Sequence, residues 1–287
     1  MTARRLDGRD LAASLRAQAA DAVAAAAAGG ITVRLAVVTA TQDESAAWYV
    51  RSLGSAAARA GIECDIADLG AGAAPGRIAT ELARLSADAA VHGIILQTPV
   101  PTGATAAELA EAIDPAKDVD GANPVSLGRL TAGLPAFAPA TAEAVLRLLD
   151  FHDVELSGRR AVVVGRSAVV GKPVAQLLLA RDATVTISHS RTPDLARITS
   201  EAEVLVVAAG RPGLVTAAHV RPGAVVVDVG TSTTGDGSLA GDVGAGVTEV
   251  AGALSPVPGG VGPVTTAQLL LATTVAASGR RGPGMLR

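Results

Sequence analysis

The sequence predicts an α/β protein made of two α/β domains, and three observations lead to that prediction. Short apolar runs of strand length alternate with segments of helical periodicity, first within residues 31–113 and again within 161–229. The runs are almost continuously apolar, as at 91–96, which is typical of parallel strands covered on both faces. A polar, turn-rich stretch at 114–121 separates the two series. We therefore expect two parallel sheets with a cleft between the domains, the first at 1–120 and the second at 121–287.

The first series contains a leading helix and three strand–helix pairs. Residues 7–28 are predicted as a helix, because apolar residues recur at helical spacing before the glycine pair at 29–30: Leu11, Leu15, Ala19 and Val23. Thr105 and Glu108 have the spacing of a capping box, which predicts the start of the last helix. The predicted strands are 31–38, 64–69 and 91–96, and the predicted helices that follow them are 44–60, 75–85 and 106–113.

The second series begins after a predicted helix at 141–149. A final helix at 262–278 is rich in alanine, leucine and threonine, and we expect it to pack back on the first domain. The predicted strands are 161–164, 184–188, 204–208 and 224–229, with a helix at 170–180.

Composition excludes several classes of function. Of the 287 residues 49% are apolar and 18% are charged, so general disorder is excluded. A net charge of −3 leaves no electrostatic footprint for nucleic acid. Cys64 is the single cysteine, so we predict neither a disulfide framework nor a cysteine metal cluster, and no metal site. No apolar run approaches the about 18 residues of a membrane span, and no signal core follows Met1, so we expect a cytoplasmic protein.

A glycine-containing turn begins the second domain and predicts a dinucleotide site. A strand ends at Gly165 and a helix opens near Gly171, where glycine permits close approach of a phosphate to free backbone N–H groups. The spacing is not G-x-G-x-x-G, so a tight turn without a ligand stays an alternative. The next strand runs into His189, Ser190 and Arg191 without the acidic residue that NAD-binding folds use for the ribose, which favours NADP.

Further polar and glycine-rich positions follow strand ends. Gly210 and Thr231 come after the third and fourth strands of the second domain, and residues 255–265 form a constrained loop of prolines and glycines. In the first domain Gln97 follows an apolar strand, Tyr49 lies on the helix after the first strand, and Asp120 lies at the domain junction. Each of these features also has an explanation without a ligand. The loop at 255–265 can be a rigid connector, Gln97 a strand cap, Tyr49 a core aromatic and Asp120 part of a solvated turn.

Taken in order, these motifs resemble the methylenetetrahydrofolate dehydrogenase/methenyltetrahydrofolate cyclohydrolase family. The matching segments span nearly the whole chain, and the most specific are Lys-Asp-Val-Asp-Gly at 117–121 and Pro-Val-Pro-Gly-Gly-Val-Gly-Pro at 256–263. The resemblance implies a folate-binding catalytic domain, a Rossmann-like NADP domain and a homodimer. It implies oxidation of 5,10-methylenetetrahydrofolate by NADP, followed by hydrolysis to 10-formyltetrahydrofolate.

The same resemblance implies roles for individual residues. Tyr49 positions the folate, Gln97 hydrogen-bonds near the reacting centre, and Asp120 holds the pterin. The folate site is completed by backbone of the rigid loop at Pro258, Gly259 and Gly260. The residues expected at the cofactor are Gly165, Arg166, Ser167, Gly171, His189, Ser190, Arg191, Gly210 and Thr231.

The chain departs from the family pattern at Leu53, which stands where the motif Tyr-Val-x-x-Lys has its lysine. The i, i+4 spacing puts Leu53 on the face of Tyr49, whereas Arg51 lies about 200° round the helix. Leucine cannot remove a proton from water, so we predict a dehydrogenase whose cyclohydrolase activity is lost or weak. The alternatives are a fully bifunctional enzyme in which another group replaces the lysine, a diverged paralogue in a specialised pathway, and a non-catalytic folate- or NADP-binding protein.

Overall fold

The structure is a computed structural model that describes residues 2–234 and 238–279. Its helices and strands alternate along much of the chain, as the sequence predicts. In chain order they are β1 (Arg4–Arg5), α1 (Arg9–Ala28), β2 (Arg34–Thr39), α2 (Glu44–Arg59), β3 (Glu63–Asp68), α3 (Pro75–Ala87), β4 (Gly93–Leu96), α4 (Ala106–Ala110), α5 (Pro124–Thr131), α6 (Ala140–Phe151), β5 (Arg160–Val164), α7 (Gly171–Leu179), β6 (Thr184–Ser188), α8 (Leu195–Thr199), β7 (Val204–Val207), β8 (Val225–Asp228), β9 (Ser232–Thr233), β10 (Leu239–Ala240), β11 (Ala253–Leu254) and α9 (Val261–Ala277).

The described residues form two compact units. Residues 13–140 and 266–279 make up one, which we call the three-stranded unit after its sheet. Residues 2–12 and 141–265 make up the other, which we call the six-stranded unit. All pairings within the two main sheets are parallel, so the prediction of two α/β domains with parallel sheets is confirmed.

The sheet of the three-stranded unit has the order β3-β2-β4, and its central strand is covered on both faces. Alternate residues of a strand point to opposite faces. Leu35 and Val37 accordingly lie in one apolar cluster with Leu269 and Leu270 of α9, which covers one face. Ala36 and Val38 of β2 point to the other face, where they lie in a second apolar cluster with Ile78 and Leu82 of α3. Burial on both faces is the reason why β2 has no polar alternation.

The sheet of the six-stranded unit has the order β1-β11-β8-β7-β5-β6. The inner strands β5, β7 and β8 are almost wholly buried, whereas β6 at the edge exposes residues such as Ile187. The chain start supplies the opposite edge, where Arg4 pairs with Ala253. Strands of two residues carry no periodicity, so sequence analysis missed β1 and β11, together with the short helices α5 and α8.

Local capping chemistry explains several element ends. Thr105 and Glu108 form the predicted capping box: Thr105 Oγ1 accepts from Glu108 N at 3.2 Å, and Glu108 Oε2 accepts from Thr105 N at 2.7 Å. Asp43 caps α2 by accepting from Ala46 N at 2.8 Å. Within the described residues, no helix combines the length and the apolar character that a membrane crossing requires.

Candidate active site

The turn from β5 into α7 is closed so tightly that two of its residues must be glycine. Gly165 has φ +135°, and a Cβ there would overlap the Ala208 carbonyl oxygen at the end of β7. A Cβ on Gly171 would overlap the Gly165 carbonyl oxygen. Ser167 Oγ accepts from Val170 N at 3.2 Å and from Gly171 N at 3.3 Å, which fixes the turn at the start of α7. This close approach of strand, turn and helix is the geometry of a dinucleotide turn.

Two exposed arginines lie near the carboxyl ends of neighbouring parallel strands. Arg166 follows β5 and Arg191 follows β6, and the register pairs Val164 with Ser188 at the ends of these strands. Ser190 is exposed in the same tight turn, which His189 closes by accepting from Arg191 N through Nδ1 at 3.2 Å. Cations and hydroxyl donors at this sheet edge suit a phosphate ester, and no carboxylate interrupts residues 189–193.

The turn after β7 is held by a buried carboxylate from elsewhere in the chain. Asp242 is 0% exposed and accepts backbone N–H bonds from Ala209 at 2.6 Å, Gly210 at 2.9 Å and Arg211 at 2.6 Å. The N–H of Gly210 is therefore bonded within the protein. Gly210 is exposed, so a cofactor can approach its Cα and carbonyl group but finds its N–H already bonded.

A second buried carboxylate supports the first. Asp228, at the end of β8, accepts from Asp242 N and Val243 N, each at 3.0 Å, and from Gly230 N at 2.9 Å. Burial raises the pKa of Asp228, and these N–H donors oppose that effect. Thr231 is exposed just beyond this strand end, so the predicted cofactor residues of the six-stranded unit gather at the carboxyl edge of its sheet.

The rigid loop after β11 is built from the N-terminal segment and its own backbone. Gly259 has φ +110°, and its carbonyl oxygen accepts from Gly8 N at 2.8 Å. Gly260 N donates to Pro256 O at 2.8 Å, and a Cβ on Gly8 would overlap the Gly260 carbonyl oxygen. Pro258 is exposed, whereas Gly259 and Gly260 are buried.

In the three-stranded unit, Tyr49 and Asp120 lie close enough for their charges to interact. Burial raises the pKa of Tyr49 well above its ordinary range, the Asp120 carboxyl adds to that effect, and the Thr266 side chain opposes it. Burial also raises the pKa of Asp120 to about 7, with a further contribution from Asp118, while the Ala140 N–H acts in the opposite direction. The site thus combines a phenol that stays protonated with a carboxyl group that titrates near neutrality.

Leu53 lies one helical turn after Tyr49 and is completely enclosed. Its side chain is 0% exposed and belongs to the apolar cluster that contains Leu35 and Ile95, and Tyr49 packs against the same cluster. Arg51 is exposed on another face of α2. At the position of the motif lysine this chain therefore has hydrocarbon.

Gln97 follows directly after β4, at the end predicted from the sequence. Its Nε2 donates to the neighbouring Thr98 carbonyl oxygen at 2.8 Å, which orients the amide. The other acidic residue of the junction motif, Asp118, is 0% exposed and is bonded to backbone N–H groups of Ala122 and Asn123. Asp118 is thus a structural group, and Asp120 is the one beside Tyr49.

A glycine-dependent β-α turn with cations and hydroxyl groups at the carboxyl edge of a parallel sheet defines the class of dinucleotide-binding α/β enzymes. The family models specify this class further. Residues 139–281 match the tetrahydrofolate dehydrogenase/cyclohydrolase NAD(P)-binding domain, and residues 6–120 match the catalytic domain of the same family. The chain belongs to the tetrahydrofolate dehydrogenase/cyclohydrolase family.

Similar proteins cover nearly all of the chain. "Bifunctional protein FolD 1" of Saccharopolyspora erythraea is 61% identical over 281 residues, which are 97% of this chain and 95% of that protein. The crystal structure of the bifunctional enzyme FolD from Campylobacter jejuni is 35% identical with a TM-score of 0.92, covering 96% of this chain and 98% of that one. The Trypanosoma brucei enzyme, solved with NADP cofactor and an inhibitor, is 36% identical with a TM-score of 0.91, covering 97% and 98%.

Sequence reasoning missed three residues that shape the candidate site. Asp242 and Asp228 hold the turns after β7 and β8, and Thr266 lies against the Tyr49 phenol. Asp242 is 33 residues from Ala209 in the chain, so no local spacing pointed to it. The sequence offers one weak signal, an aspartate directly after a glycine at Gly241-Asp242.

Proposed function

We propose that this chain oxidises 5,10-methylenetetrahydrofolate to the 5,10-methenyl cation by hydride transfer to NADP, and that hydrolysis to 10-formyltetrahydrofolate is lost or weak. Membership in the family and its two domain models support the oxidation. The single observation that carries the second part is Leu53, a fully buried leucine in place of the lysine of the family motif.

The oxidation does not require the protein to transfer a proton. One hydride leaves the methylene carbon for the nicotinamide, and the carbon becomes part of a cation, so the main needs are alignment within about 3–3.5 Å and negative charge nearby. Tyr49 supplies a neutral ring and an O–H donor to position the folate, because its pKa is raised. The ionised fraction of Asp120 stabilises the cation while holding the pterin, and Gln97 binds near the reacting carbon.

Hydrolysis requires a proton acceptor. Water adds to the methenyl carbon and must lose a proton, a step in which a positioned general base contributes about 10²–10⁴-fold. Leu53 has no such group, and the surrounding cluster is apolar. Arg51 is exposed on another face of α2 and does not replace the missing base. The methenyl product is therefore expected to leave the enzyme unhydrolysed.

A fully bifunctional enzyme is the second candidate, and one observation favours it. The relative that is 61% identical carries a bifunctional name. In that case another group near the folate would take the proton, and we propose Asp120, whose pKa is about 7, as that group.

A product-resolved assay distinguishes the two candidates. Purified protein receives 5,10-methylenetetrahydrofolate and NADP, and NADPH, the methenyl product and the 10-formyl product are followed separately. We expect NADPH and accumulating methenyl product that hydrolyses no faster than in buffer. Rapid 10-formyl product would contradict the loss of hydrolysis, and no NADPH at all would favour a specialised or non-catalytic protein.

Leu53→Lys tests the cause directly, with Leu53→Met as the matched control of similar length and no charge. The lysine variant is expected to gain cyclohydrolase rate by at least tenfold over its parent. The methionine variant should gain none. Equal rates in the two variants would show that the missing amine is not the cause.

NADP is proposed over NAD because of the phosphate-binding character of the sheet edge. Gly165 and Gly171 allow a pyrophosphate to approach α7, the Ser167 O–H donates to it, and Arg166, Ser190 and Arg191 bind the 2′-phosphate. Calorimetry should show that Arg191→Ala weakens NADP binding but leaves NAD binding unchanged. Arg197→Ala, an exposed arginine on α8, is the control. Equal losses for both dinucleotides would contradict 2′-phosphate recognition.

We further propose a cytoplasmic homodimer. On the three-stranded unit, Trp48 is 60% exposed beside an open groove of about 310 Å³ lined by Arg51, Ser52, Ser55 and Arg59. Ile66, on the edge strand β3, is 47% exposed. Light scattering should give a molar mass twice that of the chain. The substitution Ile66→Asp should lower the measured mass toward that of a single chain. A monomeric parent protein would refute the dimer.

A further inference from the structure

The turn that carries Asp120 is closed by a carboxylate two residues earlier. Asp118 is 0% exposed, and its two carboxylate oxygens accept from Ala122 N and Asn123 N, both at 2.9 Å. Its own carbonyl oxygen accepts from Gly121 N at 3.0 Å. Asp120 therefore lies inside a small loop that is tied at its base by one buried side chain.

The same loop is anchored on both sides to the three-stranded unit. Lys117 Nζ donates to the carbonyl oxygens of Ser86 at 2.8 Å and Asp88 at 2.7 Å, at the end of α3. Asn123 Nδ2 donates to the carbonyl oxygens of Ala110 at 3.1 Å and Ile113 at 2.7 Å. These four bonds fix the ends of the loop, and Asp118 fixes its interior.

Asp118 also acts on Asp120 through charge. Burial raises the pKa of the Asp118 carboxyl itself, and its hydrogen bonds from Asn123 N and Ala122 N favour the ionised form. The titratable groups facing the Asp120 carboxyl are Asp118, from the same loop, and Tyr49, from α2. A nearby like charge disfavours the ionised form of a carboxyl group, and burial acts in the same direction.

We propose that Asp118 is a positioning residue, which fixes the Asp120 carboxyl by tying the loop and keeps its own carboxylate close to it. Asp118 cannot touch a ligand, because no part of it is accessible. This inference rests on the proposed binding of the pterin by Asp120. The consequence is that the affinity for folate and the oxidation rate change with pH around neutrality.

The test compares two variants of the full chain across pH 5–9. Asp118→Asn removes the charge and leaves one side-chain oxygen for two backbone N–H donors, so it also loosens the loop. Asn123→Ala loosens the loop and leaves the charge. We expect Asp118→Asn to lower the pH at the midpoint of the kcat/KM profile for methylenetetrahydrofolate by about one pH unit. Asn123→Ala should reduce kcat/KM without moving the midpoint. An unmoved midpoint in Asp118→Asn, or an equal displacement in both variants, would overturn the proposal.

Carbon-13 NMR of the aspartate carboxyl groups in the parent protein measures the titration of Asp120 directly, and it does not require the Asp118 or Asn123 variant to fold. Asp120→Asn identifies the Asp120 resonance by its loss. We expect that resonance to titrate close to neutral pH, and titration entirely below pH 5 would overturn the inference. If Asp120→Asn leaves the KM for methylenetetrahydrofolate unchanged, the proposed pterin contact fails separately, since the NMR result does not depend on it.

Discussion

Replacing Asp120 by asparagine should change how the stability of the protein depends on pH. The pKa of Asp120 in the folded protein is raised from 3.8 to about 7, so the folded state holds a proton that the unfolded state has already lost. The parent protein is therefore expected to lose stability as pH rises from about 4 to about 7. The asparagine side chain does not ionise, so the variant should lack this part of the loss.

The magnitude follows from the difference between the two pKa values. Each pH unit corresponds to about 1.4 kcal/mol, so the difference sets a ceiling of about 4 kcal/mol. Asp120 is partly accessible, and water around a carboxylate reduces its cost of ionisation. We expect the stability of the variant relative to the parent to increase by about 1–3 kcal/mol between pH 4 and pH 7.5.

Urea unfolding followed by circular dichroism measures this difference, because urea leaves ionic strength unchanged. The two proteins are compared at half-unit steps from pH 4 to pH 7.5. Asp21→Asn, an exposed aspartate on α1, serves as the control and should run parallel to the parent. Parallel curves for Asp120→Asn as well would refute the reasoning, since they would mean that Asp120 ionises equally easily in both states.

Three further substitutions test the supports of the two units. Asp242→Asn places an amide N–H₂ against backbone donors, so we expect a loss of about 2–3 kcal/mol in the free energy of unfolding and, by calorimetry, weaker NADP binding. Gly165→Ala should abolish NADP binding in the same assay, because its Cβ overlaps the Ala208 carbonyl oxygen. Thr105→Ala should cost about 1 kcal/mol of stability through the lost cap and leave the oxidation rate unchanged. Unchanged NADP affinity in the first two variants, or unchanged stability in the third, would contradict these assignments.

Much of the fold was predictable because its signals are local. The continuous apolar strands, the capping box at Thr105 and the glycine turn at 165–171 all depend on neighbours in the chain, and the structure contains each of them. The observed ends of some elements differ from the predicted ends. The first helix begins at Arg9 and not at residue 7, and Asp7 Oδ1 accepts from Arg9 N at 3.0 Å just before it.

In the candidate site, too, local sequence signals predicted some features and long-range packing decided others. The sequence identified Gly165, Gln97 and Asp120 at strand ends and a junction, since strand termini and turn residues mark such positions. Nothing local showed that the exposed-looking motif Lys-Asp-Val-Asp holds one aspartate fully buried and the other beside Tyr49.

The chain's own residues therefore predicted the two α/β units and the glycine-dependent turn at 165–171, and they show that position 53 has no amine. Tertiary packing alone decided that Leu53 is completely enclosed, that Arg4 pairs with Ala253, and that Asp242 holds the turn after β7. The physical reason is separation along the chain. Backbone conformation and periodicity depend on adjacent residues, whereas burial, charge coupling and long-range hydrogen bonds depend on which distant segments the folded chain brings into contact.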